Sequence, residues 1–148
     1  MYDMSINPFN QTDTTMDIED AEELVLKALA PLGTEYVNKL KEAFNSNWMD
    51  AFQSQNKRGG AYNMPVYGVH PYVLLNYTGT NFDVSSIAHE FGHAMHSYYS
   101  DKNQNVLEHS YTLLLAEIAS TVNEILLAQY RLENSTDKQE KIALLYDR

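Results

Sequence analysis

A mainly α-helical chain with one small β region is the fold class this sequence predicts, and three observations predict it. Apolar residues recur at three- and four-residue spacing in several long segments, the period of a helix face. Glycine, proline and β-favouring Tyr and Val are concentrated in one stretch, between Lys57 and Thr80. The chain's main concentration of chemistry-bearing residues, His89-Glu90-Phe91-Gly92-His93, lies inside one of the helical segments, directly after that stretch.

The elements follow in order. Residues 1–16 mix Asn, Asp, Thr and Pro8 without apolar periodicity and read as an extended lead-in. Asp17 or Asp20 can cap a helix whose apolar positions are Ala21, Leu24, Val25, Ala28 and Leu29, and Pro31 with Gly33 ends it. A second helix starts at Thr34, keeps its period through Tyr36, Val37, Leu40, Ala43 and Phe44, and breaks at Asn45 to Asn47. Two short strands are expected, near Ala61 to Tyr67 and near Tyr72 to Tyr77, the second buried through Val73, Leu74 and Leu75. Asn81 or Asp83 begins a helix carrying Ile87 through Tyr99. Another runs from about Ser110 to Leu132, with Leu113, Leu114, Ile118, Val122, Ile125 and Leu126 at helical spacing, and a last one starts at Thr136. No internal repeat is apparent.

Composition narrows the function classes. A net charge of −10 and a pI near 4.7 repel phosphate backbones and anionic lipid, which argues against nucleic acid and membrane as partners. No stretch reaches the ~20 apolar residues of a bilayer span, and the first ten residues lack the character of an export signal. With no cysteine, a transition metal would be held by imidazole and carboxylate alone, and a reducing, cytoplasmic setting is expected.

The central motif is H-E-x-x-H. Residues four apart share a helix face about 6 Å apart along the axis, so His89 and His93 can converge on one Zn²⁺ at about 2.0–2.1 Å. Glu90 is then placed to take a proton from a water whose pKa the metal lowers toward about 7. A third ligand is needed, and Glu117 on the following helix is the expected one. His96 shares the face of His89 and His93 but lies about 10 Å from His89 along a straight helix, too far for one tetrahedral site, and is read as packing or support. The longer three-histidine version of the motif needs Gly at 96 and His at 99, where this chain has His96 and Tyr99. Glu108 and His109, in the connecting segment, remain as rivals to Glu117. Glu124, two turns beyond Glu117, is read as structural rather than as a partner of a ligating His. His70 precedes Pro71 and supports a turn; the tyrosines at 62, 67, 72 and 77 pack or line a wall.

The stretch from Arg58 to Glu124 resembles the thimet-type oligopeptidases, closest to the bacterial oligoendopeptidase F group. The resemblance rests on Gly59-Gly60-Ala61-Tyr62, Gly68-Val69-His70-Pro71-Tyr72, Asn76-Tyr77-Thr78-Gly79-Thr80, His89 to Ser97 and Ala116-Glu117-Ile118-Ala119-Ser120-Thr121. It implies a helical, zincin-like catalytic core with a small β-sheet next to the zinc helix, and endopeptidase activity on short peptides. It also implies one Zn²⁺ per chain held by His89, His93 and Glu117, Glu90 as general base, and Gly60, Ala61 and Tyr62 as the strand edge along the substrate backbone. Members of that family are several times longer, and their later helices supply a His and Tyr pair for the oxyanion; nothing after Leu132 matches it.

Residues 1–148 accordingly read as a single partial catalytic domain: lead-in 1–16, helices 17–56, β region 57–80, zinc-binding helix pair 81–132, and a helix cut at the chain end, 133–148. The rest of a larger peptidase is expected as its partner. The competing expectations are a catalytically incomplete zinc- or peptide-binding fragment, and a purely structural helical domain.

Overall fold

The computed structural model describes residues 15–146, so the expected lead-in falls almost wholly outside the described residues. The fold is mainly α, with five α-helices and one three-stranded sheet among the described residues. Helix α1 (Ile18–Ala28) buries Ala21, Val25 and Ala28, the row its period predicts, and carries Glu19 and Asp20 in its first turn, where the helix dipole favours anions. Pro31 opens a 3₁₀ turn, and Gly33 at φ 96° takes the left-handed conformation that lets the chain reverse into α2 (Thr34–Asn45).

Sequence periodicity misses β1 (Met49–Phe52), which lies outside the expected β stretch. It pairs parallel with β3 (Tyr72–Tyr77), Met49 opposite Val73, while β2 (Tyr62–Met64) pairs antiparallel with the other side of β3, Tyr62 opposite Leu74. The order is β1-β3-β2. A four-residue strand has too little local pattern to announce itself; its partner, more than twenty positions away, makes it a strand. The strand expected over 61–67 is shorter, ending at Met64 before Pro65.

Helix α3 (Asn81–Asn103) starts where expected, but its cap is Thr80. The Thr80 hydroxyl accepts from the Asp83 N–H, and the Asp83 carboxylate accepts from the N–H groups of Thr78 and Thr80 and from the Thr78 hydroxyl. One side of α3 (Val84, Ile87, Ala88, Phe91, Ala94, Met95) is buried in the core with α1, α2 and the sheet. Helices α4 (Leu113–Asn134) and α5 (Lys138–Tyr146) complete the described chain.

Helix α4 reverses the expectation drawn from its apolar row. Its inward residues are Ser120, Asn123, Leu127 and Arg131, whereas Leu114 (72 % exposed), Ile118 (52 %), Val122 and Ile125 face outward. The inner face is chosen by close fit: a Cβ on Gly92 of α3 would lie 2.6 Å from the Ser120 Cα and 2.9 Å from the Ala119 carbonyl oxygen. Backbones that close leave no room for leucine between them. Asn123 fastens the crossing, donating to the Ala88 carbonyl at 3.0 Å and to the Tyr36 hydroxyl at 3.1 Å. Burial pushes the Tyr36 hydroxyl up to about 12, so it stays neutral in this contact.

Candidate metal centre

Because α3 and α4 meet at Gly92 and Ser120, the side chains one turn to either side of the crossing converge. His89 and His93 lie four apart on α3 with their Nε2 atoms 3.0 Å from each other. Glu117, on the turn of α4 before Ser120, reaches them across the gap, Oε2 at 3.7 Å from His89 Nε2 and Oε1 at 3.9 Å from His93 Nε2. Each residue offers one donor atom, and the three atoms lie within 4.8 Å of one another. A tetrahedral ion about 2.0–2.1 Å from each donor asks for donor separations of roughly 3.3–3.5 Å, so this set fits Zn²⁺ after small side-chain adjustments. Two imidazoles and a carboxylate with a further position open are the donor set of a hydrolytic rather than a structural zinc.

The surroundings shape these donors. Glu124, read from sequence as structural, sets its Oε1 at 3.1 Å from His89 Nδ1. That hydrogen bond fixes the ring so that Nε2 faces Glu117, and it raises the His89 pKa. Burial, followed by neighbouring His89, lowers that of His93, favouring the neutral form that can donate a lone pair. Glu90 is only 7 % exposed, and burial raises its pKa, as suits a general base. The backbone N–H of Asn63 on β2 lies near the Glu90 carboxylate and offsets part of that rise. No sequence signal could single out Asn63, because a main-chain donor leaves no mark on residue type. Glu124 did carry one: it lies two turns from Glu117 on the same helix.

The rivals to Glu117 lie elsewhere. His96 stacks on Tyr111, ring centroids 4.0 Å apart. His109 pairs with Asp101 at 2.6 Å, and Glu108 accepts from Asn105. His70 stacks on Trp48 and has its Nδ1 2.9 Å from the Pro71 carbonyl oxygen, a turn support as expected.

A cavity of about 510 Å³ opens beside the centre, with Gly60 and Ala61 in its wall together with His89, Glu90 and Glu124. Asn76 holds this wall, its amide donating to the carbonyls of Arg58 and Gly60. Tyr62 does not join it. Strand alternation turns its side chain to a separate groove with Trp48, Met64 and Tyr72.

A profile of peptidase family M3 matches residues 4–147. Oligopeptidase PepF of Bacillus subtilis (strain 168) is 38 % identical over 145 residues, which are 98 % of this chain and 22 % of that protein. An oligoendopeptidase F homolog of Borreliella burgdorferi is 44 % identical over 121 residues, 80 % of this chain and 20 % of the relative. Among solved structures, a peptidase candidate from Chlamydophila abortus superposes with a TM-score of 0.88 at 48 % identity, covering 92 % of this chain and 23 % of that one. An oligoendopeptidase F candidate from Bacillus anthracis str. Ames shares the fold at a TM-score of 0.71 and 21 % identity, covering 85 % of this chain and 23 % of that one. The chain thus spans less than a quarter of the length of these relatives.

Proposed function

The chain belongs to peptidase family M3, and from that premise we propose that it carries the metal-binding and water-activating part of a zinc endopeptidase acting on short peptides. The observation that supports this best is the meeting of His89, His93 and Glu117 beside the buried Glu90. Zinc, held by those three residues, would supply Lewis-acid polarisation of the scissile carbonyl and a lowered pKa for water. Glu90, its carboxyl raised by burial, takes the proton of the attacking water and passes it to the leaving amine nitrogen. The backbone from Gly60 to Tyr62, leading into β2, offers an extended substrate its remaining main-chain hydrogen-bonding groups beside the strand's open edge, the Gly60 carbonyl being taken by Asn76 and the other edge of β2 by β3.

Metal analysis of the purified chain and of Glu117→Ala tests this. About one zinc on the wild type and little on the variant is expected. Equal zinc on both overturns the role of Glu117, and none on either overturns the metal site. Glu90→Gln is expected to retain the metal and to lower peptide hydrolysis by roughly 10²–10⁴-fold where hydrolysis is measurable.

The second reading, a catalytically incomplete piece of a larger peptidase, is supported by the share of the relatives' length that is covered and by the outward apolar row of α4. In that reading the remainder of the peptidase is the partner that packs on α4 and completes the channel. The single partial domain and its five-part division, 1–16, 17–56, 57–80, 81–132 and 133–148, belong to the same proposal, as does a cytoplasmic setting. The lack of cysteine supports that setting, and no helix among the described residues is long and apolar enough to cross a membrane.

A further inference from the structure

The opening of α4 carries Glu117 but has little of its own to hold it. Thr112 caps the helix without a side-chain hydrogen bond, and Leu113, Leu114 and Leu115 are exposed. Helix ends of this kind fray, because their first N–H groups have no partner along the chain. A loose opening would matter here, since Glu117 reaches the two histidines from it and the Ala116 backbone lies near the His93 ring.

Tyr111 stands just before the cap and is fastened twice. Its ring stacks on His96 of α3, centroids 4.0 Å apart, and its hydroxyl meets Ser97 Oγ at 2.5 Å. Ser97 is 1 % exposed and lies one turn beyond His93, to whose carbonyl it donates at 3.0 Å. With its proton spent there, Ser97 Oγ accepts from the Tyr111 O–H, and it accepts as well from the Asn63 amide of β2 at 3.4 Å. A serine hydroxyl donates once and accepts twice, so all of its capacity is used. One buried hydroxyl thus ties the connector, the metal helix and the edge strand together.

We propose that Tyr111 is a positioning residue for the metal centre: its hydrogen bond to Ser97 sets the start of α4 where Glu117 can join His89 and His93 on one ion. The proposal rests on the zinc reading of that centre. Tyr111 acts through Glu117 and needs no contact with ion or substrate. The same connector has another tie to α3, from Ser100 Oγ to the His109 carbonyl at 2.6 Å. That tie sits a turn beyond Ser97 and farther along the chain from Glu117, so it fastens the connector without setting the height of the α4 opening.

The test measures zinc affinity against a competing chelator for the full chain and for Tyr111→Phe, Ser100→Ala and Glu117→Ala. Saturating Co²⁺ in place of zinc reports the coordination through its visible absorption. Tyr111→Phe keeps the ring and its stack and removes one oxygen. Urea unfolding of the metal-free chains gives each folded fraction, for which the affinities are corrected. After that correction Tyr111→Phe is expected to bind zinc about tenfold more weakly than wild type, with its Co²⁺ spectrum moved toward that of Glu117→Ala. Ser100→Ala is expected to keep the wild-type affinity and spectrum, which separates positioning of the ligand from general support of the connector. Tyr111→Phe matching wild type in either measure, or Ser100→Ala losing as much affinity as Tyr111→Phe, overturns the proposal. If wild type binds zinc, Glu117→Ala loses it and Tyr111→Phe does not, only the positioning role fails; if wild type binds none, the metal centre fails and the positioning role falls with it.

Discussion

Glu124 is the side chain whose position most changes the reading of the site. A ligating imidazole whose second nitrogen is free can rotate, and a carboxylate on Nδ1 removes that freedom while increasing the electron density at Nε2. Truncating Glu124→Ala is therefore expected to weaken zinc binding by roughly 10–100-fold, and Glu124→Gln by less, because an amide oxygen still accepts from Nδ1–H. Zinc titration of both variants decides it. Equal affinity of Glu124→Ala and wild type would leave Glu124 with no hold on the site. Another carboxylate, Asp83, supplies a pH prediction. Burial pushes its carboxyl up, but the hydrogen bonds from Thr78 and Thr80 outweigh that and hold its pKa below the usual value. A depressed folded-state pKa gives stability that is present above the unfolded pKa and lost as pH falls through the folded one. Asp83→Asn should accordingly lower Tm at neutral pH and converge with wild type in acid, measured by thermal melts across the acid range. A constant gap at all pH values would mean that the capping charge does not matter.

At the scale of elements, the crossing of α3 and α4 determines whether there is a site at all. Gly92 stands between the two histidines and touches the backbone of Ser120, so the same residue that lets the helices approach also sets the reach of Glu117. Gly92→Ala introduces a methyl group into a gap bounded by backbone atoms, which cannot step aside as a flexible side chain does. We expect a loss of about 1–3 kcal/mol in stability, seen as a lower urea midpoint, and zinc binding weakened beyond what partial unfolding explains. A variant as stable and as tight for zinc as wild type would show that the helices can separate without cost. The sheet contributes differently. Through β3 it anchors β2, and β2 brings the Asn63 backbone near the Glu90 carboxylate, so this small element ties the cavity wall to the proposed base.

For the molecule as a whole, the outward row Leu114, Ile118, Val122 and Ile125 is an exposed apolar strip along one helix. A contiguous apolar strip on a helix this well packed on its other side points to a covering partner, and the relatives are long enough to supply one in the same polypeptide. Leu114→Lys with Val122→Lys should leave the helicity of the chain unchanged, because both side chains are exposed. The same pair should abolish co-purification with the remaining portion of a family M3 relative expressed separately. Retained co-purification would place the contact elsewhere.

The sequence by itself determined what local geometry enforces. The H-E-x-x-H spacing puts His89 and His93 on one helix face whatever the rest of the chain does, and the inward period of α1 and the run Val73 to Leu75 are read in the same way, from residues a turn or a pleat apart. The choice of Glu117 on the next helix as the third candidate also came from the sequence, and its carboxylate lies 3.7 and 3.9 Å from the two histidines. Other features were decided only by tertiary structure, because they depend on which surfaces come within a few ångströms of each other. β1 exists through pairing with β3. The apolar row of α4 suggested the wrong inner face because packing against Gly92 selects small residues and Asn123 over leucines. Glu124 became a partner of His89, and the Asn63 backbone a neighbour of Glu90, only once that crossing and the β2 edge were in place. Spacing along one helix is fixed by covalent geometry, whereas the distance between two helices is fixed by the smallest atoms at their contact, and no periodicity records it.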